Sequence, residues 1–101
     1  MEAKTNEEFF SVSALIDERF GKEGTVTRAE AEEKAYAFYT GQIIEDARKK
    51  AKITQAELAR RIGSDRSYIS RVESGQTEPK VSTFYRIMNA LGCRIEFSMS
   101  L

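Results

Sequence analysis

The stretch from Thr54 to Gly75, TQAELARRIGSDRSYISRVESG, leaves a chain that contains it few choices. Thr54 can cap a helix that starts at Gln55, and Glu57 lies three residues further on, at capping-box spacing. Ala56, Leu58, Ala59 and Ile62 give that helix an apolar face, and Gly63 stops it at a residue for which positive φ costs little. Ser64 or Asp65 can cap a second helix, whose inward members are Ile69 and Val72 and which Gly75 ends. The stretch therefore reads as two short helices joined by a tight turn.

Two helices separated by a turn of three or four residues containing Gly form the helix-turn-helix pattern. The exposed side of the second helix is rich in hydrogen-bond donors, and such a helix fits a DNA major groove. Composition excludes most other functions. The chain has 101 residues, 41 % of them hydrophobic, which suffices for one modest core and an appendage but not for two full domains. It has no histidine and one cysteine, Cys93, so a disulfide within the chain, the usual zinc constellations and histidine-based catalysis are all excluded. Neither an enzyme nor a cofactor or metal site is expected. Cys93 reads as a small buried hydrophobe. No apolar run reaches the ~18 residues of a membrane span, and MEAKTNEEFF is not a signal peptide, so a cytoplasmic protein is expected.

The formal net charge is zero, but the charge is unevenly divided. Residues 1–40 carry five basic and nine acidic side chains, a balance of −4, whereas residues 41–92 carry ten basic and six acidic, a balance of +4. Such asymmetry points to nucleic acid for the second part and a basic partner for the first. An acidic solvated surface is the simpler account of the first part.

The flanks divide the chain into an acidic helical extension (1–40), a DNA-binding domain (41–92) and a terminal strand (93–101). In the extension, Phe9, Val12, Leu15, Ile16 and Phe20 form one helical stripe, and Gly21 and Gly24 bracket a turn. Thr27 and Glu30 then form a second capping box that opens a helix over Arg28 to Tyr39. Its cluster of Tyr36, Phe38 and Tyr39 either packs under the first helix or faces a partner chain. Gly41 weakens the helix by about 1 kcal/mol, which predicts continuation or a slight kink. Ile43, Ile44, Ala47 and Ala51 form the next buried stripe. Beyond a loop containing Pro79, Ser82 is placed to cap a last helix, TFYRIMNALG, with Phe84, Ile87, Met88 and Leu91 facing inward. From Cys93 the period changes. Cys93, Ile95, Phe97, Met99 and Leu101 alternate with polar residues, the pattern of a half-buried strand. A lone strand needs a partner edge, and a second copy of this chain can supply it, so a homodimer with paired C-terminal strands is expected.

The segments ITQAELARRIG, SYISRVESGQTEP and STFYRIMNALG give residues 41–92 a close resemblance to the Xre/Cro-type helix-turn-helix domain of phage repressors. The resemblance implies an all-α, five-helix unit. It also implies that Gln55 contacts the DNA backbone or a base and that Arg66, Ser67 and Arg71 project from the recognition helix into the groove. A guanidinium can bridge O6 and N7 of guanine. Thr54, Tyr68, Ser70, Gln76, Thr77 and Lys80 carry groups that can reach phosphates, which set register without reading sequence. At Asp65, where the family usually has Ser or Thr, the carboxylate serves as a cap or as an acceptor for cytosine N4. Glu73 should turn inward beside Val72 and needs a partner; Arg48 stands where the family carries the arginine of a structural ion pair.

The acidic N-terminus, the helix-turn-helix unit and the ending ALGCRIEFSMSL together resemble HigA-type antitoxins of type II toxin-antitoxin systems. That resemblance implies repression of the chain's own operon and neutralisation of a small basic RelE/HigB-like toxin. Phe9, Phe10, Leu15, Phe20, Tyr36 and Tyr39 are then the candidate toxin anchors. The other reading is a stand-alone repressor or controller protein with no toxin. Either reading implies a homodimer on an inverted-repeat operator, with the dimer strand built on Ile95, Phe97 and Met99 and half-sites about 34 Å apart.

Overall fold

The computed structural model describes residues 27–100, so the stripe from Phe9 to Phe20 and the Gly21/Gly24 turn lie outside the described residues. The chain divides into two compact units, Met1–Tyr36 and Ala37–Leu101. The described residues form four helices: α1 (Arg28–Lys50), α2 (Gln55–Ile62), α3 (Arg66–Glu73) and α4 (Val81–Ala90). No helix among them is long and apolar enough to cross a membrane.

Each start and stop has a local cause. At the head of α1, Thr27 Oγ1 accepts the Glu30 backbone N–H at 3.1 Å. The helix then runs unbroken for 23 residues. Gly41 sits inside it for a tertiary reason: a Cβ there would lie 2.7 Å from the Glu73 carbonyl oxygen and closer still to that of Val72. Only a residue without a side chain lets α1 press its backbone onto the end of α3. Thr54 caps α2 by accepting the Glu57 N–H at 3.0 Å, and Gly63, at φ 73°, closes it. Asp65 caps α3, accepting the Tyr68 N–H at 2.8 Å.

The core of the second unit is Ile44, Leu58, Ala59, Ile62, Ile69, Val72, Ile87, Met88 and Leu91, drawn from all four helices and the turn after the last. Ile44, Leu58, Ile69, Val72 and Ile87 have no solvent exposure, and each such side chain contributes about 1.5–3 kcal/mol relative to water. Helices α2 and α4 also cap each other's C-termini. Arg61 Nη1 donates to the Ala90 carbonyl at 3.0 Å, and Arg86 Nη2 donates to the Ile62 carbonyl. Each guanidinium satisfies a carbonyl left orphaned by the end of the other helix.

The structure departs from the sequence reading at several points. The described residues hold four helices rather than five: Gly92, at φ 75°, turns the chain out of helix after Leu91, and the pattern beyond has period two. No strand forms over residues 93–100, because a ladder needs a second edge and no other described stretch provides one. Cys93 and Ile95 nevertheless pack half-buried against the core while Arg94 and Glu96 stay exposed. Ala56 and Ala51 are exposed; Ala51 falls just past the end of α1. Ser82 does not cap α4. Helical hydrogen bonding already begins at the Lys80 carbonyl, which accepts the Phe84 N–H at 2.8 Å, so Lys80 is the N-cap residue.

Candidate nucleic-acid interface

Helix α3 is eight residues long, and its inner side is fully committed. Ile69 and Val72 are sealed in the core, and Glu73, a carboxylate only 4 % exposed, is held by three donors. Arg48 grips it with both arms of its fork, Nε at 2.7 Å and Nη2 at 3.0 Å. Gln55 Nε2 adds a third bond at 2.9 Å. The hydrogen bond that Arg48 donates to Glu73 raises the Arg48 pKa above its ordinary value against the opposing effect of burial, so the guanidinium stays charged. Arg48 also donates through Nη1 to the Ile53 carbonyl at 2.9 Å. That bond helps hold the turn in which Lys52 takes the left-handed conformation, φ 61°. One arginine thus joins α1, the α1–α2 turn and α3.

The outer side of α3 carries different chemistry. Arg66, Ser67 and Arg71 are exposed and Ser70 is half-buried. Arg71 Nη1 donates to Ser67 Oγ at 2.7 Å, and its guanidinium carbon lies 6.0 Å from the centre of the Tyr68 ring. The two contacts hold an otherwise floppy side chain against the helix. Tyr68 is half-buried, its ring packed on the core. The Asp65 carboxylate, one of whose oxygens takes the Tyr68 N–H, acts here as a cap.

Thr54 and Gln55 open α2, and Gln76, Thr77 and Lys80 lie on the loop after α3. In that loop the Gln76 and Thr77 N–H groups both donate to the Arg71 carbonyl, at 2.9 and 3.2 Å. Gly75, at φ 84°, lets the loop approach α1 so closely that a Cβ would meet the Phe38 Cα at 3.1 Å. Of the candidate toxin anchors, Phe9, Phe10, Leu15 and Phe20 lie outside the described residues; Tyr36 is 48 % exposed and Tyr39 half-buried.

Sequence reasoning missed Gln55 as a partner of Glu73, the role of Gly41 and the crossed capping by Arg61 and Arg86. Gly41 was visible as a glycine inside a helical pattern, a sign of close approach. The Glu57 side chain does not complete its box. It accepts from Arg60 Nε at 3.0 Å and from Arg61 Nε at 2.9 Å, and these bonds, Arg60 first, push its pKa down to about 2. Among the described residues no group of His, Cys, Asp or Glu is placed to hold a metal ion.

A capped, exposed, polar helix seated on a second helix across a glycine turn defines a helix-turn-helix protein. Residues 44–98, more than half of the chain, match the helix-turn-helix family, and the chain belongs to it. It is 36 % identical over 55 residues to an immunity repressor protein of Bacillus phage phi105, a match covering 54 % of this chain and 38 % of the relative. It is 38 % identical over 47 residues to the ImmF control region 10 kDa protein of the same phage, covering 46 % of this chain and 52 % of that one. The matches thus span about half or less of either relative's length.

Proposed function

We propose that this chain is a sequence-specific, DNA-binding transcriptional repressor that acts as a homodimer on an inverted-repeat operator. The observation that carries this reading is α3, whose polar side is presented on a backbone immobilised by Arg48, Glu73 and Gln55. A rigid helix loses little entropy when it docks, and so can discriminate between base sequences. The name of one phage relative, an immunity repressor, supports repression as the outcome of binding.

In this reading Arg66, Ser67 and Arg71 meet base edges. Thr54, Tyr68, Ser70, Gln76, Thr77 and Lys80 meet phosphates. Gln55 keeps one amide hydrogen and its carbonyl oxygen for DNA after serving Glu73.

The test is salt-dependent binding to the DNA upstream of the chain's own gene, compared with random DNA. Arg71→Ala should cut the preference for the specific site by about 10- to 100-fold. Lys80→Ala should weaken both DNAs alike and lower the salt slope by about one. Equal losses from the two substitutions would overturn the division of roles. Equal affinity of the native chain for both DNAs would overturn the repressor reading.

A second reading, the antitoxin of a RelE-like toxin, is favoured by the −4 balance of residues 1–40 and their aromatic side chains. Complementary charge would steer a basic partner to that segment. Coexpression with the adjacent reading frames decides between them: copurification of a small basic protein supports the antitoxin, and its absence leaves the stand-alone repressor.

A further inference from the structure

Past Gly92 the chain carries an unused edge beside a groove of mixed polarity. Among the described residues, no backbone group from Arg94 to Ser100 is hydrogen-bonded within the chain. Phe97 and Met99 are each 82 % exposed, although their parity matches that of the half-buried Cys93 and Ile95. Alongside lies a groove of about 340 Å³ lined by Tyr85, Asn89, Cys93, Arg94, Ile95 and Phe97. Tyr85 and Val81, one turn apart on α4, extend the exposed apolar surface at 44 % and 67 % exposure.

We infer that a second copy of this chain fills this groove, with the two C-terminal segments pairing antiparallel about a twofold axis that passes through Ile95. The inference rests on the homodimer proposed above and specifies its surface and register. In an antiparallel pair about a twofold axis, residues equally far from the axis face each other on the same side of the ribbon. With Ile95 on the axis, Arg94 faces the partner's Glu96, and Glu96 faces the partner's Arg94. On the other side Ile95 meets the partner's Ile95, and Phe97 meets the partner's Cys93 at the groove wall beside Tyr85.

Other axes fit worse. An axis through Arg94 or Glu96 sets like charges against each other, which is unfavourable. An axis through Phe97 leaves both charges opposite serines. Within one chain Arg94 Nη2 already pairs with Glu96 Oε2 at 3.0 Å, with exposures of 86 % and 70 %, so the two side chains share a face and reach. In the proposed ribbon four such charges alternate in sign around the axis.

Sedimentation of the full chain, combined with disulfide trapping, tests this. Ile95→Cys in a Cys93→Ser background should form a covalent dimer on mild oxidation. Phe97→Cys should do so only when Cys93 is retained. Arg94→Glu and Glu96→Arg should each weaken self-association by about tenfold, since each spoils two symmetry-related pairs, and the double exchange should restore it to within about threefold. Efficient trapping by Phe97→Cys without Cys93 would move the axis and overturn the register. A dimer indifferent to the charge reversals and untrapped at Ile95 would place the interface elsewhere and overturn this inference while sparing the dimer. A monomeric native chain would overturn both.

Discussion

Helix α3 has two sides that solve opposite problems. The inner side ends in Glu73, a charge removed from water and held by Arg48 and Gln55, with the α1 backbone pressed against it at Gly41. The outer side carries Arg66, Ser67 and Arg71, exposed and restrained by little more than one hydrogen bond and one ring contact. The inner side fixes where the helix is; the outer side keeps its donors available. The contrast explains how so short a helix can present an ordered polar side. Eight residues form about two turns, too few for stability in isolation, so the order of α3 is borrowed from its anchor.

Cutting the anchor should have the largest effect. Arg48→Met leaves Glu73 buried with a single amide partner and should cost about 3–5 kcal/mol in chemical denaturation, since the two side chains are only 11 % and 4 % exposed. Adding Glu73→Leu to that variant should recover much of the loss. An unchanged denaturation midpoint for Arg48→Met would refute the anchor. Gly41→Ala comes next. Its methyl group meets backbone carbonyls that cannot swing aside, and a cost of about 1–3 kcal/mol is expected, against the slight gain in helix propensity that Ala brings at an open site. A stabilised Gly41→Ala protein would mean that α1 does not press on α3.

Substitutions nearer the outer side should cost less. Asp65→Ala removes the cap of α3 and should lower stability by about 1 kcal/mol, while Asp65→Ser should restore most of it. The smallest effect belongs to Glu57, whose bonds to Arg60 and Arg61 lie at the surface. Its folded pKa of about 2 lies below the ordinary 4.5, so its contribution is complete above about pH 4.5 and fades as the pH falls through 2. Glu57→Gln should therefore differ slightly and equally from the native chain at pH 7 and pH 5, and the gap should narrow in melts taken at pH 3. A gap that widened on acidification would have the wrong sign.

The two sides were not equally legible in the sequence. Thr54, Gly63 and Asp65 announced their caps because capping is local: a side chain reaching three residues along its own chain needs no tertiary partner. Ser82 misled for the same reason. It is a competent cap in isolation, but α4 already starts at Val81, with Lys80, next to Pro79, as its N-cap residue. Ala56 and Ala51 misled because alanine is weakly apolar and says little about which way a helix faces. The terminal segment shows the limit most clearly. Its alternation is plain in the sequence, yet a strand is a relation between two edges and one chain supplies a single edge.

The sequence by itself determined the periods, the caps and the turn glycines, and with them the helix-turn-helix class and the identity of the outward-facing donors on α3. These follow from interactions within a few residues, where spacing is geometry. Tertiary structure alone decided why a glycine sits inside α1, that Gln55 shares Glu73 with Arg48, and that Arg61 and Arg86 cap each other's helices. Those contacts join residues between 18 and 32 positions apart, and only the packing of all four helices around one core brings them within reach.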